Sequence, residues 1–196
     1  MALIYSATGS LDGYMAETDG TFEFAYPDEE LHLFVNEVFG NAGTLLMGRR
    51  SYELMEPWDT MDIESADPAE AEFARQWRET EKVVYSTTLP EVTFPHTRLE
   101  RTFDPAAVAE LKANSDRDLM IGGAELAGVA FRAGLIDEVW TFLVPTTIGA
   151  GAPIFAAGTR VHLELLDQHR FGNGTVGMHY RVRDEARSPG SSSEAM

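Results

Sequence analysis

The chain has 196 residues, of which 44% are hydrophobic, a size and composition that fit one globular domain with a sizeable core. Its formal net charge of −17 argues against a surface that binds nucleic acid or an anionic membrane. Because the chain has no cysteine, disulfides, thiolate nucleophiles and thiolate metal sites are excluded.

No segment has the features of an export signal or a membrane span. The N-terminus lacks a basic region followed by a long apolar run, and no run of about 18 apolar residues occurs. The histidines show no paired ligand spacing such as His-x-His, so we expect no metal site. We therefore expect a cytoplasmic protein whose partners are neither membranes nor nucleic acids.

The N-terminal part of the chain predicts a strand, a turn and a helix. The apolar run 3–8 is typical of a strand, and the pair Asp12-Gly13 is typical of the turn that follows. Acids in a first turn and an i, i+3, i+4, i+7 apolar stripe predict a helix that starts near Asp28 and continues to about Val38.

The segment around Gly48 predicts a second strand and a helix start that suits an anion. Residues 44–47 form an apolar strand, and Gly48 leads into a brief helix that Pro57 would close. The unpaired N–H groups at a helix start face an anion, and the helix dipole favours negative charge there. Arg49 and Arg50 add fixed positive charge in an otherwise acidic protein, so we expect a phosphate group here.

The middle of the chain continues the alternation of helix and strand. Asp-Pro pairs at 67–68 and 104–105 combine an N-cap with proline at the first helical position, so each predicts a helix start. Strands are predicted over 82–85 and 119–121, and a helix is predicted over 124–133.

The last third of the chain changes character. Strands are predicted over 138–145, 163–170 and 175–182, and a turn rich in glycine joins the last two. The polar segment 184–196 predicts a disordered tail, which leaves one domain over 1–183. The order of elements predicts an α/β fold with a mixed, mostly parallel sheet flanked by helices and a C-terminal antiparallel hairpin.

Three predicted strands end in small or hydroxyl residues that suit a phosphate. Ligands of an open parallel sheet bind at the carboxyl ends of the strands, so these endings predict one extended site long enough for a dinucleotide. A glycine pair lets the backbone approach a pyrophosphate, although such pairs are also common in tight turns. The usual fingerprint, Gly-x-Gly-x-x-Gly after a strand, is absent. The three endings are Met47-Gly48-Arg49, Tyr85-Ser86-Thr87 and Ile121-Gly122-Gly123.

In the order of its motifs, the chain resembles the dihydrofolate reductase-like superfamily. The most similar branch contains the reductase C-terminal domain of riboflavin biosynthesis and its stand-alone relatives. The resemblance extends over roughly residues 2–182, which makes it more specific than any single motif. The segments that carry it are Ser10-Leu11-Asp12-Gly13-Tyr14-Met15-Ala16, Met47-Gly48-Arg49-Arg50-Ser51-Tyr52-Glu53, 82–86, 121–126, 134–138 and 148–155.

The resemblance implies a central sheet of about eight strands, NADPH as the hydride donor and a homodimer. It implies that Thr8, Met15 and Ala16 border the nicotinamide and that Ser86 and Thr87 lie along the adenosine end. The residues implied to hold phosphates are Gly48, Arg49, Arg50 and Ser51 for the pyrophosphate and 2′-phosphate, with Gly122, Gly123, Ala124 and Glu125 cradling the pyrophosphate. The same resemblance predicts a cis peptide between Gly122 and Gly123.

Hydride transfer to C=N or C=O also needs a proton, which a carboxylic acid or an ordered water would supply. Glu30 falls near the position of the carboxylate in dihydrofolate reductases, and Asp12 follows the first strand, so both are candidate catalytic residues. Each also has a structural explanation, because Glu30 is a first-turn acid that stabilises a helix dipole and Asp12 belongs to an ordinary turn pair.

Three functions remain open. The leading hypothesis is an NADPH-dependent reductase of a small heterocyclic or carbonyl substrate. The second is 5-amino-6-(5-phosphoribosylamino)uracil reductase of riboflavin biosynthesis, although Tyr14 stands where such enzymes commonly have lysine and segment 49–52 departs from their threonine-rich pattern. The third is a non-catalytic, dimeric nucleotide-binding protein.

Overall fold

A computed structural model describes residues 1–183, so the predicted disordered tail over 184–196 lies outside the described residues. The strands are β1 (Leu3–Ser10), β2 (Tyr14–Ala16), β3 (Ala42–Gly48), β4 (Glu81–Tyr85), β5 (Thr97–Glu100), β6 (Asp118–Ile121), β7 (Glu138–Val144), β8 (Ala152–Pro153), β9 (His162–Arg170) and β10 (Val176–Arg183). The helices are α1 (Glu29–Gly40), α2 (Arg49–Leu54), α3 (Glu56–Thr60), α4 (Pro68–Glu79), α5 (Pro105–Asn114) and α6 (Ala124–Arg132), and a 3-10 turn spans Glu23–Ala25.

Eight of these strands form one sheet in the order β5-β4-β3-β6-β1-β7-β10-β9. The strands from β5 to β7 in that order are parallel, whereas β10 runs antiparallel to both β7 and β9. β2 and β8 pair with each other in a separate two-stranded ribbon. The predicted fold class is therefore confirmed: a mixed, mostly parallel sheet with a C-terminal antiparallel hairpin.

The hydrophobic core lies on both faces of this sheet. Leu3 and Tyr5 of β1 belong to one apolar cluster and Ile4 to the other, because successive side chains of a strand point to opposite faces. α1 and α4 cover the face of Ile4, where Trp77 is buried. α5 and α6 cover the other face, where Phe131 is buried. None of the helices within residues 1–183 combines the length and apolar character that crossing a bilayer requires.

Both predicted Asp-Pro helix starts are confirmed. The Asp67 side chain accepts a hydrogen bond from the backbone N–H of Ala69 at 3.0 Å, and Asp104 accepts one from Ala106 at 2.9 Å. In each helix the proline lies in the first turn, where its missing N–H removes no intrahelical hydrogen bond.

Other local expectations differ from the structure. Pro57 does not close the helix that begins at Arg49, because α2 already ends at Leu54 and Pro57 lies in the first turn of α3. Three short strands, β2, β5 and β8, are present in addition to the predicted ones. β5 is an edge strand in which half-buried and exposed residues alternate, and β2 and β8 pair only with each other.

Lys82, in β4, is fully buried, which is unusual for lysine. Its ammonium group donates hydrogen bonds to the carbonyl oxygens of Trp77 and Thr80, at 2.6 and 2.7 Å, where α4 ends. The ammonium also lies 4.9 Å from the centroid of the Trp77 ring. Loss of hydration lowers the pKa of Lys82 to about 8, although nearby Asp59 and Glu81 act in the opposite direction.

The pKa of Lys82 predicts that stability rises with pH above neutrality. The folded protein releases this proton near pH 8 and the unfolded chain near pH 10.5, so the unfolded state binds more protons between these values. We expect the free energy of unfolding to rise on the order of 1–3 kcal/mol between pH 8 and about 10, measured by urea unfolding. Above about pH 10 the trend should reverse, because burial raises the pKa of Tyr85 to about 12.

The Lys82→Met variant should lose this rise, whatever its stability at neutral pH. Lys112→Met, which changes the other lysine of the chain, should keep it. An equal rise in the Lys82→Met variant would assign the pH dependence to other groups and contradict the prediction.

Candidate active site

The carboxyl ends of β4, β3 and β6 lie side by side. They form one edge of the sheet, in the sense of the border along which the parallel strands end and not of an outermost strand. In these neighbouring parallel strands, Gly48 is in register with Tyr85, and Leu46 is in register with Ile121. The pairing of β3 with β6 extends one residue further, because the backbone N–H of Gly122 donates to the Leu46 carbonyl at 2.9 Å. The three predicted strand endings therefore meet at one edge.

Two helices begin at this edge, and neither has a side-chain cap. Gly48 precedes α2 and Gly123 precedes α6. The two starts are close together, since a Cβ built on Gly123 would lie 3.2 Å from Oγ of Ser51. A Cβ on Gly48 or Gly122 would meet no atom within 4 Å, so the main chain there faces open space that a ligand can enter. We call the strip formed by residues 48–51 and 122–125 the groove.

The expected cis peptide between Gly122 and Gly123 is wrong, because this bond is trans. The chain turns instead at Gly123, whose φ of 86° and ψ of 123° suit glycine and strain other residues. The first N–H groups of α6 follow this turn directly, and no side chain caps them.

Two arginines of the groove, at the start of α2, are exposed. Arg49 lies 3.5 Å from the Glu53 carboxylate, and an exposed pair of this kind is weak. Arg50 has no hydrogen-bond or ion-pair partner among residues 1–183. Both guanidinium groups can therefore bind an anion with little competition from the protein.

The turn after β4 is held by its own hydrogen bonds. Ser86 is buried, and its Oγ accepts hydrogen bonds from the backbone N–H groups of Thr88 and Leu89. The Arg101 guanidinium donates to the carbonyls of Ser86 and Leu89. Thr87 is exposed on this turn, so of the two residues expected along the adenosine it is the one open to a ligand.

The residues expected to border the nicotinamide lie near the end of β1 and in β2. Tyr5 of β1 is in register with Ile121 of β6, and the two strands are parallel. Thr8, three residues after Tyr5, therefore lies just past the level of Gly122 and Gly123 at the same edge of the sheet. Met15 and Ala16 belong to β2, and all three side chains are half-buried.

Asp12, one of the two predicted catalytic residues, ties two loops together. Its carboxylate accepts hydrogen bonds from the backbone N–H groups of Gly149 and Ile148, at 2.8 and 3.2 Å. A hydrogen bond from the Ser10 hydroxyl, together with these two, holds the pKa of Asp12 below its ordinary value. Since a carboxylate that keeps its charge is a poor proton donor, the geometry favours the turn explanation, and the catalytic role stays a prediction.

Glu30, the other predicted catalytic residue, links α1 to the β9–β10 hairpin. Its carboxylate accepts a hydrogen bond from the backbone N–H of Gly172 at 2.8 Å and lies 3.9 Å from Nε2 of His169. The helix is capped by Asp28, which accepts a hydrogen bond from the N–H of Leu31 at 3.0 Å. Glu30 thus has a structural partner, and its role as proton donor stays a prediction.

An apolar cavity of about 210 Å³ adjoins the groove. Ser51 and Gly122 belong both to the groove and to the cavity wall. No sequence pattern indicates this cavity, since its other wall residues follow the ordinary pattern of core positions. Residues of that wall include Ser6, Val35, Val38, Met55, Phe73 and Trp77.

A larger cavity of about 330 Å³ lies at the opposite edge of the sheet, where β7 begins and β10 ends. Its wall includes the charged residues Asp137, Glu138 and Arg181. None of the predicted site residues lines it, so it is separate from the groove.

A comparison with protein-family models identifies the family of this chain. The model of the RibD C-terminal domain matches residues 1–177. A search of curated protein sequences finds no significant match.

Solved structures share the fold over nearly the whole described chain. A protein from Shewanella sp. PV-4, described as a riboflavin biosynthesis protein, has a TM-score of 0.73 at 20% identity, with 94% of this chain and 100% of that chain covered. RibD from Acinetobacter baumannii has a TM-score of 0.68 at 15% identity, with 93% and 58% covered. Dihydrofolate reductase from Enterococcus faecalis, solved with NADP(H), has a TM-score of 0.64 at 12% identity, with 93% and 97% covered. These likenesses show the fold, the family model shows the family, and both agree with the motifs: the chain belongs to the RibD C-terminal domain family and has the dihydrofolate reductase-like fold.

Proposed function

We propose that this protein is a reductase that uses NADPH to transfer a hydride to a small heterocyclic or carbonyl substrate. The observation that carries the proposal is the groove, where parallel strand ends, two helix starts without side-chain caps and two exposed arginines adjoin an apolar cavity. The family match supports a reductase of this type, as do neighbours such as RibD and a dihydrofolate reductase solved with NADP(H).

The residues of the groove fit a cofactor that carries phosphates. The open main chain at Gly48 and Gly122 leaves room for a pyrophosphate against the backbone. Arg49 and Arg50 would hold the 2′-phosphate or pyrophosphate through charge-assisted hydrogen bonds. Glu125 would contribute its backbone N–H, because its exposed carboxylate repels a phosphate.

When bound, NADPH would supply the hydride. The chain would hold the two reactants in line and exclude water from the cavity, since orientation and a dry site lower the barrier to transfer. The substrate atom next to the reduced carbon needs a proton. Glu30 and Asp12 remain the predicted donors, and a water molecule is the alternative because both carboxylates already accept backbone hydrogen bonds.

Two other functions compete with this proposal. The riboflavin-pathway reductase is supported by the family match, and turnover of 5-amino-6-(5-phosphoribosylamino)uracil or rescue of a riboflavin auxotroph would establish it. A non-catalytic, dimeric nucleotide-binding protein is disfavoured by the cavity, because binding a nucleotide needs no apolar volume beside the groove. The homodimer and the cytoplasmic location stay predictions.

Titration with NADPH, followed by fluorescence, tests the proposal directly. Saturable binding to the full-length protein is expected because the groove offers backbone N–H groups and two guanidinium groups. Absence of binding at millimolar NADPH would refute the proposed function.

Replacing both Arg49 and Arg50 by alanine should weaken the binding of NADPH more than the binding of NADH. Loss of charged hydrogen bonds to the 2′-phosphate should cost roughly 1–3 kcal/mol of binding free energy. Only NADPH can lose this contribution, because NADH has no 2′-phosphate. Dissociation constants for both cofactors give the measurement. The double variant Arg75→Ala/Arg183→Ala is the matched control, because it removes the same charge from two exposed arginines outside the groove. Equal weakening of both cofactors would contradict the 2′-phosphate role.

The Gly122→Ala variant should weaken NADPH binding without harm to the fold. Its new methyl group meets no protein atom within 4 Å, so the free energy of unfolding should change little or rise slightly. The same methyl group would occupy the groove, and we expect the dissociation constant for NADPH to rise about fivefold or more.

Gly123→Ala provides the contrast for this experiment. Alanine is strained at a φ of 86° and would lie 3.2 Å from Oγ of Ser51, so this variant should be destabilised by about 1–2 kcal/mol. If Gly122→Ala binds NADPH as tightly as the unmodified protein, the pyrophosphate does not lie against this residue.

A further inference from the structure

We infer that the substrate of the proposed reductase is an uncharged molecule of one or two rings that carries a carbonyl or imine acceptor and no phosphate group. The inference rests on the proposed function and adds to it the chemical class of the substrate. It is carried by the cavity beside the groove, through its charge, its volume and its unpaired polar groups.

The cavity wall is electrically neutral. The side chains that line it are aliphatic, aromatic, thioether or hydroxyl groups, and none of them carries a formal charge. A phosphate or carboxylate that entered this space would lose its hydration without gaining a cation in return. Such a wall selects against anionic substrates.

The cations at the start of α2 do not change this conclusion. Arg49 and Arg50 precede Ser51, which belongs to the cavity wall. The phosphates of the proposed cofactor would already bind both guanidinium groups, which leaves neither of them for a substrate anion. In a chain with a net charge of −17, a second anion beside them would meet a negative surrounding.

The volume of the cavity limits the size of the substrate. An engineered cavity of about 150 Å³ with an apolar lining holds benzene. A cavity of about 210 Å³ therefore accommodates a larger single ring or two fused rings. A ribose phosphate attached to such a ring would have to lie outside the cavity, beside the phosphates of the proposed cofactor in the groove.

Two polar groups in the wall lack partners within the described residues. The hydroxyl groups of Ser6 and Ser51 are half-buried and have no protein partner among residues 1–183. Because both groups can donate a hydrogen bond, they suit a ligand that presents an acceptor such as C=O or C=N.

A carbonyl substrate of this class balances the proposed reaction. The carbonyl carbon gains the hydride from NADPH, the π electrons of the C=O bond pass to oxygen, and oxygen takes one proton, which comes in the end from solvent through the proton donor. The ketone, NADPH and one proton thus give an alcohol and NADP⁺. A C=N substrate gives the corresponding amine in the same way.

The test compares two ligands with the same ring system. 2-Acetylnaphthalene is an uncharged ketone, whereas 2-naphthoate carries a carboxylate in the same position. Calorimetric titration of the full-length protein, with saturating NADP⁺ and without it, gives both dissociation constants. We expect the ketone to bind at least tenfold more tightly than the carboxylate. Equal affinities, tighter binding of 2-naphthoate or no binding of the ketone would overturn the inference.

Variants of α1 locate the ligand. Val35→Phe places a larger side chain in the wall, and Leu33→Phe introduces the same new side chain at a position of this helix that is 47% exposed. Val35→Phe should weaken ketone binding at least fivefold, and Leu33→Phe should leave it unchanged. Val38→Phe repeats the test at a second wall residue if Val35→Phe fails to fold. Unchanged affinity in the folded wall variant would show that the ketone binds elsewhere and would overturn the inference.

NADPH titration of the same protein separates this inference from the proposed function. Ketone binding without NADPH binding would refute the reductase and leave the neutral ligand of the cavity in place. NADPH binding together with a preference for 2-naphthoate would keep the reductase and exclude the uncharged substrate.

Discussion

The parallel pairing of β3 with both β4 and β6 is the constraint on which the whole site depends. Gly48 is aligned with Tyr85 on one side, and the N–H of Gly122 is bound to the Leu46 carbonyl on the other. A slip of one residue in either pairing would turn the buried side chains of a strand to the opposite face, so the register is strongly fixed. Because the register is fixed, α2 and α6 begin side by side and their N–H groups share the groove.

Local signals are sufficient to predict most of the elements that position the site. β3 and β6 are short apolar runs, and α4 and α5 each begin with an aspartate that accepts a backbone hydrogen bond. The strands that were not predicted depend on pairing with a neighbouring strand and not on a local sequence pattern. β5 is four residues long at a sheet edge, and β8 is two residues long and exists only through β2. Their sequences are too short for periodicity to indicate a strand.

The groove is predictable from sequence, whereas the side-chain partners and the cavity are not. The rule that ligands bind at the carboxyl ends of parallel strands is enough to place Gly48 and Gly122 at one edge. In contrast, Glu30 binds the backbone of Gly172, which lies 142 positions away in the chain. Trp77 has the pattern of an ordinary core residue in the sequence, and only the packing of α1 and α4 over the sheet leaves empty volume beside it. No local sequence pattern indicates empty volume between packed helices and a sheet.

The net negative charge of the protein and the neutral wall of the cavity both disfavour an anionic substrate. A chain with a net charge of −17 repels anions at long range, so an anionic cofactor would have to be held by short-range contacts such as those that we propose for Arg49 and Arg50. If NADPH binds as we propose, its phosphates would neutralise these arginines and add negative charge beside Ser51 and Gly122, which belong to the cavity wall. A second anion in the adjoining cavity would then face repulsion as well as a wall without cations. The proposed cofactor would therefore strengthen the preference for an uncharged substrate that we infer from the cavity wall.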